Sequence, residues 1–118
     1  MQGTHFTIPI HVPGTLTANI VPKFNVPFAC QLVHVSAVAS NNSDATLKLG
    51  NSSDAAAYLA ETTFGDSGTP TEFGKDSFVG AEYPHIPDGT LFILTLDYDG
   101  AAGTAAQNVT ILLTFSEG

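Results

Sequence analysis

Residues 21–40 read VPKFNVPFACQLVHVSAVAS, and the alternation in this stretch decides the fold class. Pro22 and Pro27 punctuate its first half as a short connection. In the second half, apolar side chains recur at every second position. Strict alternation predicts Val33, Val35, Ala37 and Ala39 on one face of an extended strand. Cys30, Leu32, His34, Ser36, Val38 and Ser40 are then expected on the other. One greasy face and one mixed face describe a strand that enters the middle of a sheet.

The same period extends outward from this strand. Thr4, Phe6, Ile8 and Ile10 alternate with His5, Thr7 and Pro9. This predicts an edge strand, because proline cannot donate to a ladder. Pro13-Gly14 is expected to break that strand, and residues 15–21 to form another with Leu16, Ala18 and Ile20 inward. A polar turn, Asn41-Asn42-Ser43-Asp44, precedes a short strand over 45–49 that Gly50-Asn51 ends. Residues 53–60, SDAAAYLA, carry the one helix signal, with Ser53 or Asp54 as its cap. Residues 62–80 read as loop with aromatic anchors, Phe64 and Phe73 each preceding a glycine, with room for short strands.

Residues 90–98 alternate Phe92, Leu94, Leu96 and Tyr98 against Leu91, Ile93, Thr95 and Asp97. Both faces are apolar at the centre, as in a strand covered on two sides. In residues 108–116, Val109, Ile111, Leu113 and Phe115 oppose Thr110, Leu112 and Thr114. These last two strands are expected to pair as a terminal hairpin. Short strands at near-regular spacing, with at most one short helix near 53–60, predict an all-β, antiparallel β-sandwich. A jelly roll is the first choice. An immunoglobulin-like sandwich comes second, since the chain has one cysteine and no tryptophan.

The length of 118 residues fits a single domain, 1–118, with an expected radius of gyration of about 13–14 Å. Residues 1–14 form either its edge strand or an N-terminal arm. Three lysines, no arginine and eleven acids give a formal net charge of −8. Phosphate backbones are gripped by clustered Lys and Arg, so nucleic acid is excluded as a partner. Anionic membrane surfaces are disfavoured for the same reason. With 12% of residues charged, the solvated surface falls to Thr, Ser, Asn and Gly. The N-terminus lacks the basic start and apolar block of a signal peptide, which predicts synthesis in the cytoplasm. The sequons at Asn41, Asn51 and Asn108 are therefore expected to be idle.

No constellation announces a reaction, and the expectation is a protein that is not an enzyme, with no catalytic, cofactor or metal residues. His5 and His11 stand six apart, His34 and His85 stand alone, and no H-x-H pair exists. That spacing does not make a histidine metal site of the kind cupin jelly rolls use. Asp97 and Asp99 before Gly100 have the look of a calcium loop, but only Thr104 follows as a side-chain oxygen ligand. A strand end turning into a loop is the simpler account. No G-x-S-x-G occurs, and Cys30 in its strand is expected to be a small buried hydrophobe. For sugar stacking the chain offers Tyr58, Tyr83 and Tyr98 and no tryptophan.

With these segments in place, the chain resembles the small jelly-roll decoration, or cement, proteins that coat the heads of tailed bacteriophages. Residues 20–37, IVPKFNVPFACQLVHVSA, carry the resemblance as a proline-spaced lead-in, a Phe28-Ala29-Cys30 step and a β-branched strand. LKLG at 47–50 followed by DAAAYL at 54–59 is similar too. The resemblance implies a structural virion protein that binds the outer surface of an assembled capsid and stabilises the shell. It implies the major capsid protein lattice as partner, a homo-oligomer (trimer or dimer), and a place on the virion exterior. The alternative is a glycan- or receptor-binding β-sandwich module on a virion or tail. A further expectation is that residues 4–13 either add a strand to a neighbour or form the first strand of their own sandwich.

Overall fold

Strand β9 (Gln107–Glu117) turns Val109, Ile111, Leu113 and Phe115 inward, where all four are fully buried. Its alternation is the cleanest in the chain, and the larger sheet is built around it. The computed structural model describes residues 5–101 and 103–117. Strand β1 (His5–Thr15) pairs antiparallel with one side of β9, setting Phe6 opposite Phe115 and Ile10 opposite Ile111. Strand β3 (Cys30–Val38) pairs with the other side. Beyond β3 lie the short β6 (Thr71–Phe73) and the two-residue β7 (His85–Ile86).

The second sheet comprises β2 (Lys23–Asn25), β8 (Leu91–Asp97), β4 (Thr46–Asn51) and β5 (Leu59–Thr63), in that order. Leaving β7 aside, the strand orders are β1-β9-β3-β6 and β2-β8-β4-β5. Among these strands only β4 and β5 are neighbours both in sequence and in a sheet; every other connection crosses the sandwich. That alternation of sheets is the jelly roll. The radius of gyration is 13.9 Å.

Aromatic rings hold the sheets together at one end. Phe6 stacks on Phe115 at 5.1 Å in one sheet, and Phe24 on Phe92 at 5.1 Å in the other. Phe92 and Phe115 meet edge to face across the sandwich at 5.5 Å, and Tyr58 stacks on Phe92. At the opposite end Ala37, Ala39, Ala45 and Ala106 are buried together with Phe64, Val109 and Leu16. Asn41 ties the loops there: its amide nitrogen donates to the Ala105 carbonyl and its oxygen accepts the Gln107 N–H.

Several expectations are corrected. The alternation of β3 is not strict: Leu32 lies opposite Phe115 and His34 opposite Thr114, so Val33 is an extra residue. This bulge shifts the phase, and Cys30 and Leu32 point inward along with Val35 and Ala37. Without it, one pair or the other would face water. β1 does not stop at Pro13-Gly14 but reaches Thr15 through a register shift, with Gly14 at φ 79°. Residues 16–22 form no strand. They cross between the sheets, with Leu16 buried, Ala18 exposed and Ile20 bridged to Leu96. Residues 23–25, expected as connection, pair with β8 instead.

The β8–β9 hairpin does not exist: β8 pairs with β2 and β4, and β9 with β1 and β3. The helix near 53–60 is likewise absent. Asn51 Oδ1 accepts the N–H groups of Ser53 and Asp54, and Asp54 Oδ1 accepts that of Ala56. These short polar side chains offer the backbone a turn in place of a helical ladder. Two helical turns alone could not outweigh that, and burial of Tyr58 and Leu59 draws the chain into β5. Among the described residues the helical segments are two single 3-10 turns, Lys75–Ser77 and Val79–Ala81.

Candidate docking face

The inward parity of each strand fixes what it shows outside. On β1, His5, Thr7, Pro9 and His11 are exposed while Phe6, Ile8 and Ile10 pack on the core. The register then assembles rows across the sheet. His5 lies beside Ser116, Ser116 beside Gln31, and Gln31 beside His85. Thr7 lies beside Thr114, which lies beside His34. Pro9, Leu112, Ser36 and Glu72 form the next row, and His11, Thr110 and Val38 the last.

All four histidines of the chain therefore share one outer face. Two of them make side-chain contacts. His11 Nδ1 and Thr110 Oγ1 share a hydrogen bond of 2.8 Å, and His34 Nε2 lies 3.2 Å from Glu72 Oε1. Glu72 is the single acid placed on this face among the described residues, and no lysine stands there. Glu117 pairs with Cys30 and so sits on the inner side of the strand end. Leu112, 39% exposed, lies near the middle. Their convergence is not visible from the sequence taken one histidine at a time. The signal was the shared parity of His5 and His11, but His34 and His85 join them only through long-range pairing.

The opposite outer face differs. It carries Lys23 beside Ile93, Lys48 beside Thr95, and Asp97 beside Thr46, whose hydroxyl donates to Glu61. Gly50, opposite Ile93, also faces outward, and a side chain there would collide with the Asp54 carbonyl and the Ala55 backbone. The loop over 52–57 thus folds back across this sheet. That cover explains the apolar outer side of β8, where Leu91 and Ile93 are half-buried.

The other candidates are structural. Cys30 is fully buried, and desolvation pushes its thiol up from the ordinary value. Asp97 Oδ1 accepts the N–H of Asp99, and Asp44 Oδ2 accepts that of Thr104, so these carboxylates pin their own loops. Tyr58 is buried and Tyr98 half-buried; Tyr83 is 42% exposed. The three sequon asparagines serve internal bonds. Asn41 and Asn51 are described above, and Asn108, at φ 49°, accepts from the Gly14 N–H and donates to Ser40.

The described part of the N-terminal stretch is the first strand of its own sandwich; Thr4 lies outside the described residues. With Phe6, Ile8 and Ile10 inward and β9 on one side, Pro9 must direct its nitrogen at the free edge. That edge lacks a donor at its middle, which makes it a poor template for a further strand.

The fold and its faces thus define an all-β jelly-roll module with polar outer surfaces. In solved structures the chain is similar to one described as "Cyanophage Pam1 capsid asymmetric unit". The TM-score is 0.60 at 16% identity, covering 99% of this chain and 87% of that one. No protein-family model matches the sequence, and no curated protein does.

Proposed function

We propose that the chain is a structural virion protein that binds the outer surface of a phage capsid and stabilises the shell. The observation that carries this is the end-to-end likeness in fold to a chain of a phage capsid asymmetric unit, near full length on both sides. The surface chemistry supports it. A net charge of −8 without arginine suits a coat that must ignore packaged nucleic acid. The protein works by binding, with no reaction of its own, on the virion exterior after synthesis in the host cytoplasm.

Its mechanism is mass action: a ligand that binds only the assembled lattice stabilises it by the binding free energy. A homo-oligomer, trimer or dimer, multiplies weak identical contacts through effective concentration. Sugar binding has less behind it, since one exposed tyrosine makes no stacking platform. Purified protein is expected to cosediment with expanded shells and not with free capsid subunits. Virions lacking it should rupture at lower temperature and lower ionic strength; equal survival would remove the proposal.

A further inference from the structure

The placement of the histidines asks for a reason. They are four in number, they come from three strands, and all lie on the outer face of the β1-β9-β3-β6 sheet. They do not chelate one ion. His5 and His11 stand six residues apart on a strand, about 20 Å, and His5 and His85 three strand spacings apart, about 14 Å. Imidazole is the side chain whose ordinary titration falls between pH 5 and 8. Among the described residues Glu72 is the one acid on the face and no lysine stands there, so their formal charge runs from −1 with neutral imidazoles to +3 with all four charged. The remaining ten acids of the eleven stand elsewhere, so this is where a strongly acidic protein can approach another acidic surface.

Four of the five strands contribute to that balance. β1 presents His5 and His11, β3 presents His34, β6 presents Glu72 against His34, and β7 presents His85. β9 presents hydroxyls and Leu112, and no ionisable group. Eleven residues each on β1 and β9, nine on β3, three on β6 and two on β7 give roughly 570 Å², about two-thirds of the ~800 Å² that one partner buries in a standard interface. An apolar residue near the centre within a polar surround is the anatomy of such a patch.

We propose that this face is a pH-tuned contact surface whose occupant is a carboxylate-bearing protein surface, namely the shell exterior. The shell as occupant rests on the function proposed above; the carboxylate chemistry does not. Each imidazole that meets a carboxylate binds a proton more tightly in the complex, so docking strengthens as pH falls. The four imidazoles are too dispersed for one strong anchor and suit a broad array of weak ones.

The test compares wild type with a His5→Gln, His11→Gln, His34→Gln, His85→Gln variant at pH 6.0 and 8.0 and fixed ionic strength. All four sites are on the outside, and a melting scan checks that the variant folds. A second variant, H5Q with H85Q only, serves if the fourfold change melts early. Wild type should cosediment with shells about sixfold more tightly at pH 6.0 than at pH 8.0, the effect of raising one imidazole by one unit on docking. The fourfold variant should lose that pH response and the double variant should show a smaller one, both keeping the affinity of pH 8.0. Shell binding that is equal at both pH values, or a pH response that survives undiminished in either variant, overturns the proposal. Retention on immobilised poly-L-glutamate is the second arm. Retention at pH 6.0 that the variants lose, with no shell binding at any pH, keeps the carboxylate chemistry and removes the function proposed above. A histidine-dependent dimer in ultracentrifugation at pH 6.0 would make a second copy the occupant and overturn the shell assignment.

Discussion

The outer side of β1, β9 and β3 and the outer side of β8 and β4 begin from the same period-two pattern and end in different states. Over β8 and β4 the chain folds its own loop, 52–57, so that Leu91 and Ile93 are half-covered from within. Lysines and acids share that face. Over β9 none of the described residues folds back, and imidazoles and half-buried hydroxyls form the outer surface. One sheet thus carries a cover from its own chain, and the other leaves an acid-poor outer face uncovered among the described residues.

The two sheets share one inner seam, and breaking it should have the largest effect. Phe115 touches Phe6, Phe24 and Phe92, joining both layers. Phe115→Ala should cost about 3–5 kcal/mol in urea unfolding. A loss under about 1 kcal/mol would mean that the sheets do not depend on this seam. The cover itself is tested next. Gly50→Ala drives a methyl into the Asp54 carbonyl and should cost about 1–3 kcal/mol. Gly74→Ala, at φ −121° with open space beside it, is the control and should be near neutral.

Cys30 gives a smaller, pH-dependent effect. Burial raises its folded value, so the unfolded thiol ionises first as pH climbs. Its contribution is fully present below the ordinary thiol range and is lost as pH rises through the folded value. By pH 9.5 the loss should be at most about 1.4 kcal/mol, one unit above about 8.5. Urea unfolding from pH 7 to 9.5 should fall less steeply in Cys30→Ala than in wild type, and parallel curves would remove this account. The smallest effect belongs to the open face. His34 and Glu72, 42% and 70% exposed, should couple by about 0–1 kcal/mol at pH 6 in a double-mutant cycle. A larger coupling would show that the open face supports the fold instead of waiting for a partner.

Much of this was legible in the chain itself. The parity of β9 and of β1 was read correctly, because alternation depends only on neighbours along the strand. The buried anchors Phe64 and Phe73 were visible beside their glycines. The bulge at Val33 was not, because strict alternation offered a consistent but wrong face assignment. The helix over 53–60 failed for a related reason. Alanine propensity is weak, and Asn51, outside the segment, captured the two backbone donors with which the turn begins. The shared histidine face was invisible, since no two of His5, His34 and His85 are near in sequence.

What the residues determined alone was the class of structure and the inward side of its clearest strands, since a period of two is written locally. What only the tertiary structure decided was which sheet each strand joined. β8 and β9 follow one another yet part company, because each finds better burial against a strand distant in sequence. Pairing across such distances trades loop-closure entropy against the fit of whole faces. No short window of sequence contains both terms, and the gathering of four imidazoles on one side is settled by that trade.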